Sequence, residues 1–200
     1  MKFAGIILAA GSSERMGWPK ALLEIGGVTF ADRLIGTFAT HLAPVVVVLG
    51  ASAETIRAEL RRAGEAEILV NPDFELGQIT SLQCALRALP AGIDGFCFTT
   101  VDCPMVRGET IELLVEAQIR DGGQHRFVVP RYQGRHGHPV CCDGRMREEF
   151  LALSPGQTAR EVLHKYAEET LYLDVEDPAI LDDIDTPEEY KRLLAASRIA

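Results

Sequence analysis

Two basic residues and a run of small residues near the amino terminus have the types and spacing of a phosphate-binding loop. An apolar run ends at Ala10 and Gly11, and the polar stretch after it contains Arg15, Gly17 and Lys20. Small residues let backbone N–H groups approach a ligand closely, and successive N–H groups form a cradle for an anion. Two positive charges beside such a cradle suit a polyphosphate. The stretch therefore predicts a triphosphate site, with contacts expected from Leu8, Ala9, Ala10, Gly11, Ser12, Ser13, Arg15 and Lys20.

The spacing of this loop excludes two better-known phosphate loops. In the mononucleotide loop, a Gly-Lys pair stands where this chain has Met16 and Gly17. In the dinucleotide fingerprint, a second glycine stands where this chain has Ser13, which disfavours a dinucleotide-dependent oxidoreductase. An ordinary strand–turn–helix connection with exposed charges is the remaining structural alternative.

A carboxylate follows another buried strand, predicted at residues 96–101. Pro104 prevents a simple continuation after Asp102, and the next helix is predicted to begin near residues 107–109, so this helix does not need Asp102 as its cap. Carboxylate and phosphate oxygens are the ligands that Mg²⁺ prefers. Because a triphosphate site is predicted in the same chain, we interpret Asp102 as a magnesium ligand, with capping as the alternative.

A third polar segment begins at Asn71, which directly follows a strand predicted at residues 67–70. Ligands of parallel sheets bind beyond the carboxyl ends of the strands, so this position lies at the site. Thr80 and Ser81 lie near the start of the next helix, with hydroxyl and N–H groups that the helix leaves unused. Such donors suit the polar edge of a nucleotide base, and helix capping is equally open for either residue alone.

The segment 125–147 is unusually basic for this chain. It contains five arginines, three histidines and a single acidic residue, Asp143. In a chain of net charge −9, such a segment predicts a local patch for a second anionic substrate. A solvated basic face is the alternative.

Strand and helix patterns alternate along the chain, which predicts an α/β fold: a mostly parallel, Rossmann-like sheet in three layers. No repeat, linker or low-complexity segment interrupts residues 1–200, so we expect a single domain. The predicted strands are 3–9, 45–49, 67–70, 96–101, 126–131 and 170–173. The predicted helices are 28–42, one capped by Ser52, one near Thr80, one from 107–109 with Ile111, Leu114, Val115 and Ile119 buried, 156–167, and one capped by Asp185 or Thr186.

Composition narrows the partners and the compartment. A net charge of −9 disfavours non-specific binding to nucleic acid or to an anionic membrane. No apolar run approaches the ~20 residues of a membrane span. Five cysteines without Cys-x-x-Cys spacing favour reduced thiols over disulfides or a zinc site, so we expect a cytoplasmic protein.

The loop from Leu8 to Lys20 resembles the Leu-Ala-(Ala/Gly)-Gly-x-Ser-x-Arg-Met-Gly-x-x-Lys signature of nucleotidyltransferases that attach a nucleotide to molybdopterin. Four further motifs of that family follow in the same order, so the resemblance spans nearly the whole chain. They are Asn-Pro-x-x-x-x-Gly-x-x-(Ser/Thr)-Ser from Asn71, Asp-x-Pro from Asp102, Gly-His-Pro from Gly137, and Asp-x-Asp-Thr-Pro ending at Pro187.

The resemblance implies a nucleotidyltransferase fold and a role for each motif. It implies that Asn71, Thr80 and Ser81 contact the nucleotide and that Asp185 joins Asp102 in binding Mg²⁺. Arg15 and Lys20 are then catalytic with Asp102, because they stabilise the charge on leaving pyrophosphate. The implied acceptor-binding residues are Arg135, Gly137, His138 and Pro139.

The implied reaction is the transfer of CMP from CTP to the terminal phosphate of molybdopterin. Ala10 resembles the cytidylyl branch of the family, whereas the guanylyl branch usually has glycine there. A molybdoenzyme or its insertion chaperone is the implied protein partner. The alternatives are a related nucleotidyltransferase that uses GTP or a sugar-phosphate acceptor, and a non-catalytic nucleotide-binding module.

Ala10 generates a prediction about the base. We expect wild-type turnover to prefer CTP over GTP, because the methyl group narrows the base slot against a purine. Discrimination by one methyl group is about 10–200-fold, and Ala10→Gly should relax it. Steady-state rates with each nucleotide measure this ratio. Equal wild-type turnover of GTP would move the protein to the guanylyl branch.

Overall fold

The computed structural model describes residues 1–197. It contains a large sheet, a separate two-stranded hairpin and helices between the strands. The strands are β1 Phe3–Ala9, β2 Glu24–Ile25, β3 Val28–Thr29, β4 Val45–Leu49, β5 Glu67–Val70, β6 Gly95–Thr100, β7 Phe127–Tyr132, β8 Arg135–His136, β9 Val140–Asp143 and β10 Thr170–Asp174. The helices are α1 Phe30–Ala39, α2 Ala53–Glu59, α3 Gln78–Ala88, α4 Gly108–Asp121, α5 Met146–Leu151, α6 Ala159–Lys165 and α7 Pro187–Ser197.

The large sheet is mostly parallel, as predicted. Its strand order is β10-β7-β9-β6-β1-β4-β5, and β8 pairs with β7 outside this row. β1 is parallel to β4 and β6, whereas β9 is antiparallel to both β6 and β7. The carboxyl ends of β1, β4, β6 and β7 therefore lie at one edge of the sheet. Because β9 runs the other way, it begins at that same edge.

Helices cover both faces of the sheet, which confirms the predicted three layers. β1 and β4 are buried along their whole length, as continuous apolar runs require. Side chains alternate along β1, so Ile7 packs with α1 and α4 on one face, and Ile6 packs with α3 and α5 on the other. No helix within residues 1–197 combines the length and apolarity needed to cross a bilayer.

The helix predicted at 28–42 is shorter than its apolar spacing indicated. Val28 and Thr29 pair with β2 in the hairpin, and α1 begins only at Phe30. The Thr29 hydroxyl oxygen accepts a hydrogen bond from the backbone N–H of Asp32 at 3.0 Å, which caps the helix. Leu42 lies beyond the helix, and its side chain is buried.

Two other helix predictions need correction. Ser52 precedes α2, but it adopts a left-handed conformation with φ 55° and its side chain makes no capping hydrogen bond. Ile119 is 42% exposed, because the buried stripe of α4 continues through Gln118 instead. The side chain of Gln118 donates to the carbonyl of His125 at 3.1 Å, so burial does not leave its amide N–H unpaired.

The region after β7 contains elements that the sequence patterns did not predict. β9 and α5 were not anticipated, and the helix predicted at 156–167 spans only Ala159–Lys165. Thr158 and Glu161 form a capping box that starts this helix two residues after Gly156. Short elements of four to seven residues carry too little periodicity to be recognised in the sequence.

Phe150 on α5 provides a test of this packing. It is fully buried, and its ring makes edge contacts with Phe96, Phe98 and Phe127 at centroid distances of 6.1, 5.9 and 6.1 Å. We expect Phe150→Ala to lower the free energy of unfolding by about 3–5 kcal/mol, because a large cavity replaces the ring.

Urea unfolding followed by circular dichroism measures this change. Leu113→Ala on α4 is the control, because Leu113 is 44% exposed and its truncation should change the same free energy by less than about 0.5 kcal/mol. Similar losses in the two variants would contradict the assigned core.

Candidate functional site

A cleft of about 360 Å³ opens at the carboxyl edge of the sheet, beyond the end of β1. Every residue predicted for the triphosphate site lines it, together with residues from α2, α3, β6 and the segment before α7. The lining residues are Leu8, Ala9, Ala10, Gly11, Ser12, Ser13, Glu14, Arg15, Pro19, Lys20, Ala21, Ile56, Phe74, Gln78, Ser81, Thr100, Val101, Asp102 and Asp185. The cleft therefore combines the phosphate loop with the predicted metal ligands.

Ser13 organises the phosphate loop. It adopts a left-handed conformation with φ 54°, and its carbonyl accepts hydrogen bonds from the N–H groups of Met16 and Gly17 at 3.0 and 3.1 Å. Its hydroxyl accepts a further bond from the N–H of Lys20 at 3.1 Å. The serine that breaks the dinucleotide fingerprint thus fixes the turn that brings Lys20 to the cleft.

Lys20 connects two carboxylates that are distant in sequence. Its Nζ donates to Asp102 Oδ2 at 3.1 Å and to Asp185 Oδ1, and Arg15 donates to the other oxygen of Asp185. Burial opposes the charged form of Lys20, but the hydrogen bond to Asp185 and the charge of Asp102 outweigh it and raise the lysine pKa. Burial also opposes the charged form of Asp185, yet Lys20 and Arg15 lower the pKa of this carboxyl. Lys20 and Asp185 therefore both carry their charges at neutral pH.

A third carboxylate, Asp183, belongs to the same cluster, and the sequence analysis missed it. One oxygen of each of Asp102, Asp183 and Asp185 lies within 4.8 Å of the others. Partial burial and the negative charges of its two neighbours raise the pKa of Asp183. Several carboxylate oxygens at this spacing suit a hard divalent cation such as Mg²⁺ or Mn²⁺. The Asp-x-Asp spacing of Asp183 and Asp185 was the available signal for this third carboxylate.

Backbone and side-chain contacts hold this acidic segment against the end of β6. The N–H of Ile184 donates to the carbonyl of Asp102 at 3.1 Å, and the thiol of Cys103 donates to the carbonyl of Asp182 at 2.9 Å. Burial raises the pKa of the Cys103 thiol to about 12, so it keeps its proton. The Thr100 hydroxyl donates to Asp102 Oδ1 and orients that carboxylate.

Thr186 caps α7, which decides between the two predicted caps. Its hydroxyl pairs with Glu189, and the Glu189 carboxylate accepts from the N–H groups of Asp185 and Thr186 at 2.9 and 2.8 Å. The side chain of Asp185 is therefore not used as a cap and reaches Lys20 instead. As expected, α4 begins at Gly108, so Asp102 is not its cap either.

The predicted base-contacting residues form a buried network beside the cleft. Asn71 Nδ2 donates to Thr80 Oγ1 at 2.8 Å and to Ser81 Oγ at 3.0 Å. The Thr80 hydroxyl donates to the carbonyls of Asp73 and Gly77, two residues that precede α3, so it is already paired without a ligand. Ser81 lines the cleft, whereas Asn71 and Thr80 act behind it.

The predicted acceptor residues lie at the same edge of the sheet but outside the lining of this cleft. Pro139 directly precedes β9, and the His138 ring packs against Phe98 at a centroid distance of 6.2 Å. Burial lowers the pKa of His138, so its ring is neutral at pH 7. Its Nδ1 is buried with no hydrogen-bond partner among the described residues.

Gly137 has a packing role that the sequence did not reveal. A side chain at this position would bring its Cβ to 2.0 Å from the carbonyl oxygen of Ile180. The N–H of His138 donates to the same oxygen at 2.9 Å. The missing side chain thus lets the segment before β9 lie against the segment that leads to Asp185.

The basic segment 125–147 does not form the continuous patch predicted from its charge. Most of its charged side chains are spread along the sheet and engaged with partners. Arg126 pairs with Glu169, Arg131 with Asp174, Arg145 with Asp143, His125 with Asp121, and Arg147 donates to the Leu89 carbonyl. Strand alternation and acidic partners from other elements explain the difference. Arg135 is exposed and has no such partner among residues 1–197.

A mostly parallel sheet with a phosphate loop, a lysine and clustered carboxylates at its carboxyl edge defines a nucleotidyltransferase. Residues 5–170 match the MobA-like NTP transferase domain, and the chain belongs to this family.

Its relatives include enzymes of molybdenum cofactor synthesis. The molybdenum cofactor cytidylyltransferase of Escherichia coli K12 is 26% identical over 187 residues, which cover 92% of each chain. A probable molybdenum cofactor guanylyltransferase of Bacillus anthracis is 27% identical over 155 residues, covering 76% of this chain and 74% of the relative. The bifunctional protein GlmU of Pelobacter propionicus is 33% identical over 139 residues, which cover 68% of this chain and 30% of that protein.

A solved structure of similar fold contains a metal. The crystal structure of Rv0371C from Mycobacterium tuberculosis H37Rv in complex with manganese has a TM-score of 0.79 and 25% identity. The match covers 98% of this chain and 100% of that one. Nucleotidyltransferases of this kind generally use divalent metals.

The contacts of Lys20 predict how the acidic cluster responds to its removal. We expect Lys20→Met to tighten Mn²⁺ binding in the absence of nucleotide by about tenfold or more. Two unit charges at 4 Å interact by about 1 kcal/mol even in water and by more in a partly buried site, so the ammonium opposes a cation there.

Free Mn²⁺ measured by electron paramagnetic resonance gives the affinity. Lys165→Met, which removes an exposed lysine paired with Glu149, should bind Mn²⁺ as the wild type does. Unchanged or weaker binding in Lys20→Met would show that these carboxylates are not the cation site.

Proposed function

We propose that this protein transfers CMP from CTP to the terminal phosphate of molybdopterin and releases pyrophosphate. The observation that carries the proposal is the convergence of Lys20 with Asp102 and Asp185 beneath the phosphate loop. Two further points support it. The relative that matches over 92% of both chains is a molybdenum cofactor cytidylyltransferase, and Ala10 lines the cleft.

The phosphate loop and the acidic cluster bind the nucleotide and its metal. The loop from Leu8 to Ser13 cradles the triphosphate, and Arg15 and Lys20 contact its β- and γ-phosphates. Asp102 and Asp185 hold Mg²⁺, and we add Asp183 as a third ligand because its carboxylate lies in the same cluster. Bound Mg²⁺ supplies Lewis-acid polarisation and neutralises phosphate charge.

The transfer needs no nucleophile from the protein. An oxygen of the acceptor phosphate forms a bond to the α-phosphorus, and the bond from that phosphorus to the bridging oxygen of the β-phosphate breaks. The departing pyrophosphate carries the electron pair of that bond. Lys20 and Arg15 stabilise this charge, because fixed positive groups in a cleft stabilise a developing negative charge far more strongly than they would in water.

Separate sets of residues contact the base and the acceptor. Ser81 contacts the base from the wall of the cleft. The side chain of Asn71 donates to both Thr80 and Ser81, and this network holds the Ser81 hydroxyl in position. Arg135, His138 and Pro139 contact the acceptor, and Gly137 lets that segment approach the acidic cluster. We assign the protein to the cytoplasm, with a molybdoenzyme or its insertion chaperone receiving the product.

Guanylyl transfer is the second candidate. The similarity to the Bacillus anthracis relative is comparable in identity, at 27%, and a single methyl group at Ala10 separates the two branches. A sugar-phosphate acceptor is the alternative on the other side of the reaction.

Pyrophosphate release from CTP, GTP, ATP and UTP, each with and without molybdopterin, tests the proposal. We expect release only with CTP and molybdopterin together. Asp102→Asn should lose nearly all of this activity, because the amide keeps the shape but not the charge that binds Mg²⁺. Asp94→Asn is the matched control, since Asp94 directly precedes β6 and Asp102 follows the same strand at its opposite end.

Each result that differs from these expectations contradicts a different part of the proposal. A preference for GTP supports the guanylyl branch. Release that does not depend on molybdopterin contradicts the acceptor. Full activity in Asp102→Asn contradicts the metal assignment.

A further inference from the structure

An unpaired arginine lies at the start of α6. Arg160 is the second residue of this helix, and its side chain is exposed. Its guanidinium makes no hydrogen bond or ion pair with any other part of the chain that the structure describes, residues 1–197. In this respect it resembles Arg135 and differs from the other arginines of segment 125–147, which are engaged with partners.

The helix itself offers this guanidinium no carboxylate. Residues three and four positions apart are neighbours on the surface of a helix. Around Arg160 these positions are not acidic: they hold Gly156, Gln157, Leu163 and His164. The adjacent carboxylate, Glu161, is already used, because it accepts hydrogen bonds from the N–H of Thr158 at 2.8 Å and from Gln157 Nε2 at 2.7 Å. The positive charge of Arg160 is therefore available to a ligand.

Phe98 on β6 connects the start of α6 to the Gly-His-Pro segment. Ala159, the residue before Arg160, lines a small pocket together with Phe98 and with Leu8 of the phosphate loop. The Phe98 ring also packs against the His138 ring at a centroid distance of 6.2 Å. The beginning of α6 and His138 thus lie around the same aromatic side chain.

The charge of Arg160 acts on His138. Burial is the largest cause that lowers the pKa of His138, and the positive charge of Arg160 lowers it further, whereas the negative charge of Asp102 raises it. His138 therefore lies within electrostatic reach of an arginine on α6 and of a carboxylate in the acidic cluster.

The acceptor side of the site needs more positive charge than its motif supplies. A phosphate that attacks the α-phosphorus approaches a triphosphate and an acidic cluster, and like charges at short range repel. Gly137 and Pro139 carry no side-chain charge, and His138 is neutral at pH 7, so Arg135 is the one cation among the assigned acceptor residues. A second guanidinium would supply the missing charge, together with paired N–H donors that match phosphate oxygens.

We propose that Arg160 binds the phosphate group of the acceptor and holds it beside His138. The inference rests on the proposed function for the existence of a phosphorylated acceptor. It deepens that function by adding a binding residue from α6, which none of the motifs described above contains. Because molybdopterin and a sugar phosphate both present a phosphate, the assignment holds for either acceptor.

Inorganic phosphate is the probe for this site. It is titrated in the presence of Mg²⁺ and the α,β-methylene analogue of CTP, which fills the triphosphate site and cannot be cleaved at its methylene bridge. Line broadening in phosphorus NMR measures the binding of phosphate. We expect Arg160→Gln to weaken it about tenfold or more, since the loss of a hydrogen bond to a charged group costs about 10–100-fold in affinity. Arg160→Lys should weaken it less, because the charge remains.

Turnover gives a second readout. Arg160→Gln should raise the KM for the acceptor about tenfold or more and leave the KM for the nucleotide unchanged. A merely structural role for Arg160 would change both constants or neither. Calorimetric titration of the nucleotide should give the same affinity in every variant, which also shows that each variant is folded.

Arg87→Gln is the matched control. Arg87 is also exposed and has no partner within the described part of the chain, so both substitutions remove one unpaired positive charge. It lies in the last turn of α3, roughly 14 Å along the helix from Gln78 at the cleft. Arg87→Gln should bind phosphate as the wild type does.

The inference is overturned if the wild type shows no saturable phosphate binding beside the nucleotide analogue. It is also overturned if Arg160→Gln and Arg87→Gln bind phosphate equally well. Failure of the proposed function gives a different result. If the nucleotide assays favour GTP, the corresponding GTP analogue fills the site, and phosphate binding that depends on Arg160 then supports the inference without CMP transfer. CMP transfer with an unchanged acceptor KM in Arg160→Gln supports the function and contradicts the inference.

Discussion

The ammonium of Lys20 is the charge on which the site depends. It contacts two of three carboxylates that would otherwise repel one another across less than 5 Å, as the 4.8 Å spacing of their oxygens indicates. Lys20, Asp102 and the Asp183–Asp185 segment are each separated from the next by about 80 residues of sequence. Their arrangement persists because backbone and thiol hydrogen bonds hold Ile184 and Asp182 against the end of β6. Charge compensation and these contacts together make the acidic cluster compatible with a folded protein.

The proposed nucleotide and acceptor sites belong to two different sets of strands in the sheet. The phosphate loop extends from β1, whose parallel neighbours bring Asp102 and Asn71 to the same edge. β9 reverses the chain direction, so the segment with His138 reaches that edge from the beginning of a strand rather than from its end. α3 begins at Gln78, which lines the cleft. The reversed strand thus brings the proposed acceptor segment to the same edge of the sheet as the phosphate loop.

Sequence patterns predicted the parallel core well, because long apolar runs such as β1 and β4 fit only strands that are covered on both faces of a sheet. The residues predicted for the triphosphate site line one cleft, and they could be singled out because small and basic residues cluster there within a few positions. That they bind phosphate stays a prediction. Sequence patterns failed where distant partners decide the outcome. The charge of segment 125–147 predicted a patch, but acidic side chains from other elements pair with its arginines. Asp183 was missed because its spacing to Asp185 becomes informative only when Asp102 lies beside it. That residues 1–200 form one domain stays a prediction.

Gly137 belongs to the Gly-His-Pro motif and also has a role in packing. The room left by its missing side chain is filled by the Ile180 carbonyl, so packing alone requires a glycine at this position. Relatives with quite different acceptors would keep the same glycine, provided that they keep the same crossing of the two segments. Its persistence among relatives would therefore carry no information about acceptor choice. Differences in acceptor among relatives would instead appear as substitutions at positions whose side chains border open space.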